Sequence, residues 1–96
     1  MRKVVAAAIG LLSIAAAVVA SAEPPAGAAS CSGCHPASPA VSSPVPRLAG
    51  QDQAAIVRAL QEFRSGQRAG TVMDRIAKGF TDDEIQALAA WFAAQK

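Results

Sequence analysis

Two cysteines and a histidine stand together in Ser30-Cys31-Ser32-Gly33-Cys34-His35, and the chain has no other Cys or His. The spacing has a chemical use. Thiols three residues apart lie on one face of a helical turn. Each can add to a vinyl group of one porphyrin, and Cys-x-x-Cys-His is the attachment pattern for c-type haem. Two thioether bonds would hold the ring beside the next residue, so that the His35 imidazole binds the iron axially. The histidine must be adjacent because the tether fixes where the iron sits. Other chemistry draws on the same residues. A structural zinc site needs four ligands, more than two Cys and one His supply. A thioredoxin-like redox pair needs a βαβ context, which is missing. A plain Cys31–Cys34 disulfide would close a tiny loop and add little stability.

A haem iron has a second axial position. The chain has no second His, no third Cys and no Tyr, and Met1 belongs to a leader described below. Met73 is then the remaining thioether, in a loop flanked by Gly70 and Thr71. The competing role for Met73 is to fill a gap in the core, as methionine commonly does. His/Met ligation raises the reduction potential and fills both axial positions, which favours electron transfer over catalysis at the iron. A metal-bound His usually donates its other ring N–H to a nearby acceptor. Pro46 has a free carbonyl in the loop that follows, and Leu48 could press on the ring. Ile56, Leu60, Phe63, Val72, Ile76, Leu88 and Phe92 are candidate apolar walls or helix–helix core.

These residues need elements to hold them. Residues 1–22 carry Arg2 and Lys3, an apolar run from Val4 to Ala20 and the small-x-small sequence Ala20-Ser21-Ala22. That order is a secretory signal peptide cleaved after Ala22; an uncleaved anchor would need a longer, more strongly apolar run. Removing Arg2 and Lys3 takes nine basic residues down to seven, equal to the seven acidic ones. A near-neutral domain over 23–96 has no basic stripe for nucleic acid. At 74 residues it is small enough to need a staple.

A short helix is expected near 26–34. Four prolines between Pro36 and Pro46 make an irregular loop, of the sort that covers something. From an Asp52 N-cap, Ile56, Leu60 and Phe63 recur at helical spacing until Gly66 stops the helix. Residues 66–73 read as a polar loop, and Asp74 to Lys78 as one or two turns. Thr81-Asp82-Asp83-Glu84 forms a capping box, with Phe80 and Ile85 placed for a hydrophobic staple and Ile85, Leu88, Ala89 and Phe92 on one face. Strand alternation is missing, so the class is all-α: three to four short helices with long loops around one covalent haem.

With these residues in view, the chain resembles a class I c-type cytochrome over nearly all of 26–95. The likeness rests on Cys31, Cys34 and His35, on Pro46-Arg47-Leu48-Ala49-Gly50-Gln51, on Gly70-Thr71-Val72-Met73 and on the closing helix from Thr81. It implies that Pro46 accepts the hydrogen bond of the proximal His35 and that Met73 is the distal ligand. Phe63-Arg64-Ser65-Gly66-Gln67-Arg68, with Thr71-Val72-Met73 and Ile76-Ala77-Lys78-Gly79-Phe80, is similar to the cytochrome subunit of flavocytochrome c sulfide dehydrogenases. Pro36 departs from the family's usual Gly after the His, and Gly27 and Ala28 from the larger apolar residues of its first helix.

The expected role is a periplasmic single-electron carrier with one haem c and redox-protein donor and acceptor, not an enzyme by itself. A narrower reading makes it the haem subunit of a flavin-dependent sulfide dehydrogenase. The chain has no Gly-rich βαβ turn for a flavin, so that cofactor would sit on a partner flavoprotein. A reading from another class, a haem-based ligand sensor or peroxidase-like enzyme, requires Met73 to leave the iron free. Arg47, Arg68, Arg75 and Lys78 could steer a partner to the haem edge, or be an ordinary solvated surface. No stable membrane span is expected after leader removal.

Overall fold

The computed structural model describes residues 23–96; the expected leader lies outside the described residues. Among the described residues four helices follow one another: α1 (Ala28–Ser32), α2 (Gln53–Ser65), α3 (Met73–Ala77) and α4 (Asp82–Ala94). Among the described residues there is no strand, and no helix is long and apolar enough to cross a membrane.

The two long helices start and stop for local reasons. Asp52 caps α2 by accepting the Ala55 amide at 2.9 Å, satisfying one of the donors that a helix start leaves without a partner. Gly66 ends α2 in the left-handed region, at φ 82°, where a Cβ would be penalised. At α4 the capping box is complete: the Glu84 amide donates to Thr81 Oγ1 at 3.2 Å, and the Thr81 amide to Glu84 Oε1 at 3.1 Å. Asp82, Asp83 and Glu84 complement the helix dipole in its first turn.

The short helices differ from the sequence expectation by a residue or more. α1 covers five residues instead of the nine from 26 to 34. Gly27, at φ 90°, turns the chain into it, and Gly33 ends it. α3 begins at Met73, one residue earlier than expected.

α2 packs on both α3 and α4. The core joins Ala28 of α1, Ile56 of α2, and Leu88, Ala89 and Phe92 of α4. Cys31, Leu48, Val57, Leu60, Phe80 and Trp91 pack partly buried against it. Ile85 and Ala77 are fully buried beside this cluster. The entry to α1 is tight: a Cβ on Gly27 would stand 2.6 Å from the Phe80 ring. The loop from Pro36 to Gln51 is fastened at its far end, where the Gly50 amide donates to the Phe92 carbonyl of α4 at 3.0 Å.

Candidate functional site

The Cys-x-x-Cys-His run leaves the core and turns outward. Cys31 lies in α1, half-buried against the core cluster. Cys34 comes after the helix-ending Gly33 and is exposed. Its amide donates to the Cys31 carbonyl at 3.2 Å, and the His35 amide donates to the same carbonyl at 2.9 Å. The helical course therefore continues past α1 far enough to bring both thiols and the imidazole into successive turns. Both thiols are free. Burial pushes the Cys31 thiol up from its ordinary pKa, and a backbone hydrogen bond opposes that shift.

His35 is held by a single contact that decides its chemistry. Its Nδ1 lies 2.5 Å from the Pro46 carbonyl oxygen. A carbonyl can only accept, so Nδ1 carries a proton, and in the neutral imidazole Nε2 then keeps a lone pair for a metal. The loop delivering Pro46 is pinned twice more. Arg47 Nε donates to the Ala37 carbonyl at 2.9 Å, and the Gln51 side-chain amide donates to the Arg47 carbonyl. His35 and Leu48 together line a hollow of about 310 Å³ with Pro36, Trp91 and Phe92.

Met73 is not among the residues lining that hollow. It opens α3, after a segment that runs against Phe63. A Cβ on Gly70 would stand 2.8 Å from Phe63 Cε1 and 3.4 Å from Met73 Cβ. Next to it, one oxygen of Asp74, Oδ1, is buried without a hydrogen-bond partner among the described residues.

The candidate walls divide. Ile56, Leu88 and Phe92 are buried in the core, Leu60 packs against it, and Phe63 is half-buried. Val72 and Ile76 are 51% and 43% exposed; they flank Met73 in sequence as large apolar side chains open to the outside. Free thiols on successive turns, an imidazole with its metal-binding nitrogen free, a thioether and exposed apolar neighbours suit a flat apolar macrocycle with an iron centre. Among the described residues no three of His, Cys, Asp and Glu gather to hold a metal ion, so a four-ligand zinc site lacks its donors.

Of the candidate docking cations, two are occupied internally: Arg47 by the Ala37 carbonyl, and Arg68 by Glu62. Arg75 and Lys78 are exposed and form no ion pair among the described residues. Sequence reasoning missed the internal work of Arg47 and Arg68 and the place of Trp91 in the hollow that His35 also lines. Arginine spacing carries no sign of its partner, so no motif could have found these contacts.

No family model matches the chain. Curated relatives do. The chain is 43% identical over 63 residues to the cytochrome subunit of sulfide dehydrogenase of Chlorobaculum tepidum, covering 66% of the chain and 57% of that protein. It is 32% identical over 89 residues to cytochrome c4 of Pseudomonas aeruginosa, covering 92% of the chain and 44% of that protein. It is 38% identical over 69 residues to the thiosulfate dehydrogenase electron acceptor of Stutzerimonas stutzeri, covering 70% of the chain and 32% of that protein. The chain thus spans between about a third and just over half the length of these relatives. Attachment motif, helical fold and relatives agree: the chain is a homologue of the c-type cytochromes and resembles their class I members.

Proposed function

We propose that the protein is a monohaem electron carrier of the periplasm, with haem bound covalently through Cys31 and Cys34 and its iron ligated by His35 and Met73. The observation that carries this reading is the His35 Nδ1–Pro46 hydrogen bond. It fixes the tautomer in which Nε2 is free, on a histidine directly after the two thiols. Bound haem supplies a ferric/ferrous couple that takes up and releases one electron at a time. The chain's own residues do the rest. Pro46 holds the imidazole in orientation and makes it a better donor to iron. Leu48, Val72 and Ile76 would shield a bound ring from water, and a drier surround shifts the potential. Met73 would supply the second iron ligand, leaving small ligands nowhere to bind.

The leader supports the location: residues 1–22 read as a signal peptide cleaved after Ala22, which delivers the chain where c-type haem is attached. Residues 23–96 then form the mature cytochrome domain. Its partners would be a redox donor and acceptor.

The test is Met73→Ala in the haem-loaded protein. The native protein is expected to show the far-red sulfur-to-iron band and no carbon monoxide binding in the reduced state. Met73→Ala is expected to lose the band, bind carbon monoxide and drop in reduction potential. Carbon monoxide binding by the native reduced protein would instead favour a ligand sensor or peroxidase-like enzyme.

The 43% identity to a sulfide dehydrogenase cytochrome subunit supports a narrower reading: this chain as the haem subunit of a flavin-dependent sulfide dehydrogenase. Flavin would belong to a partner chain, and sulfide would reduce this haem only when that partner is present. Co-purification from a periplasmic extract tests it, and the absence of any flavoprotein in the eluate would count against it.

A further inference from the structure

The segment from Arg68 to Met73 has little to hold it in place. Residues 69 to 72 lie outside any helix, and among the described residues their amides donate no backbone hydrogen bond. Its course must be set by what it packs on, and that is the Phe63 ring. The ring lies so close to Gly70 that a side chain there would collide with Cε1 at 2.8 Å, while Gly70 borders Met73 Cβ. Phe63 has a second neighbour. The Arg68 guanidinium lies over its ring, 5.5 Å from the centroid. Arg68 is anchored by both Nε and Nη2 to one Glu62 oxygen, each at 2.9 Å. Its backbone amide adds a bond to the Glu62 carbonyl at 3.2 Å.

We propose that Glu62, Arg68 and Phe63 form a clamp that positions Met73, and that the clamp's strength sets how readily an outside ligand displaces Met73 from the iron. The proposal rests on the reading of Met73 as the distal ligand. The three side chains are positioning residues: they act on the segment 68–73 and not on the iron. The physics is a competition. An incoming ligand must lift Met73 away, and every contact that fixes the segment opposes the displaced state. Loss of the ion pair and of the cation–ring contact weakens that opposition. Each interaction is modest because Arg68 is 44% exposed at its side chain and Glu62 28%, so the combined effect is about five-fold in ligand affinity.

The chain provides its own control. Arg58 Nε also faces Glu62, at 3.8 Å, but its side chain is 71% exposed, and the guanidinium over the Phe63 ring is that of Arg68. Removing Arg58 takes one positive charge from the same carboxylate and leaves the Arg68–Glu62 pair and the Arg68–Phe63 contact in place.

The experiment titrates imidazole into the oxidised, haem-loaded protein and its Arg68→Met, Glu62→Gln, Arg68→Lys and Arg58→Met variants. The far-red band and the denaturant midpoint are recorded for each. Arg68→Met and Glu62→Gln are expected to bind imidazole about five-fold more tightly. Their band is expected to be intact before imidazole is added, and their denaturant midpoints to match that of Arg58→Met. Arg68→Lys is expected to recover part of the difference, and Arg58→Met to bind imidazole as the native protein does. Native-like imidazole affinity in Arg68→Met and Glu62→Gln would overturn the clamp, as would an equal rise in Arg58→Met. If Arg68→Met loads no haem, Glu62→Gln decides alone. A native protein without the band would remove the ligation reading itself, and the clamp with it, a result distinct from an unchanged affinity.

Discussion

Cys31 and Cys34 are equivalent on paper and unequal in space. The first leans on the core and the second stands in the open. Either one alone can carry a porphyrin by one thioether bond. Cys31→Ser and Cys34→Ser are therefore each expected to keep haem through denaturing mass spectrometry, while the double variant loses it. The two single variants are expected to differ in stability. A hydroxyl at position 31 enters a half-apolar site, so Cys31→Ser is expected to melt at the lower temperature of the two. The Cys-x-x-Cys-His motif can be read from sequence because the chemistry it implies is local: three side chains, one spacing, one reaction. The role of Pro46 was only half legible. A free carbonyl in a proline-rich loop could be named from sequence, but its distance to Nδ1 is set by Arg47, Gln51 and Gly50 holding the loop. Those bonds join backbone carbonyls that every residue type carries, and composition cannot reveal them.

At the scale of elements, caps were the most legible feature. Asp52, Gly66 and the Thr81–Glu84 box each satisfy or release backbone groups within a few residues, so their sequence signature and their structure are nearly one fact. Thr81→Ala is expected to lower unfolding free energy by about 1 kcal/mol, read as a shift in denaturant midpoint with unchanged slope. The short helices were less legible. α1 and α3 each have five residues, too few to be stable on propensity alone, so their ends are set by neighbours. α1 starts where Gly27 meets the Phe80 ring. α3 starts at Met73, after a segment resting on Phe63. Neither neighbour lies within the helix it delimits, which is why the expected boundaries moved.

For the molecule as a whole, the sequence pointed to a small all-α domain needing a staple, and the structure has a core to match. Its fully buried large side chains are Ile85 and Leu88, both in α4. α2 packs on both α3 and α4, and Ala28 of α1 joins the same core. The contact between Gly27 and Phe80 links the first element to the turn before the last. Gly27→Ala tests that link, because the new Cβ would meet the ring at 2.6 Å and a φ of 90° is unfavourable for alanine. A loss of about 1–2 kcal/mol is expected, measured by thermal unfolding of the haem-loaded protein, with the haem spectrum below the transition unchanged. What stayed hidden at this scale was charge. Of the four cations that could steer a partner or be an ordinary solvated surface, Arg47 and Arg68 serve internal contacts, while Arg75 and Lys78 form no ion pair among the described residues.

The bond from Gly50 to Phe92 spans the chain's tail and the proline-rich loop. Three residues separate Gly50 from Pro46, whose carbonyl accepts the hydrogen bond of the His35 imidazole. Loosening of the final turn of α4 would slacken that loop, and with it the hold on the imidazole. The end of α4 thereby acts as a tether on His35, a residue far earlier in the chain.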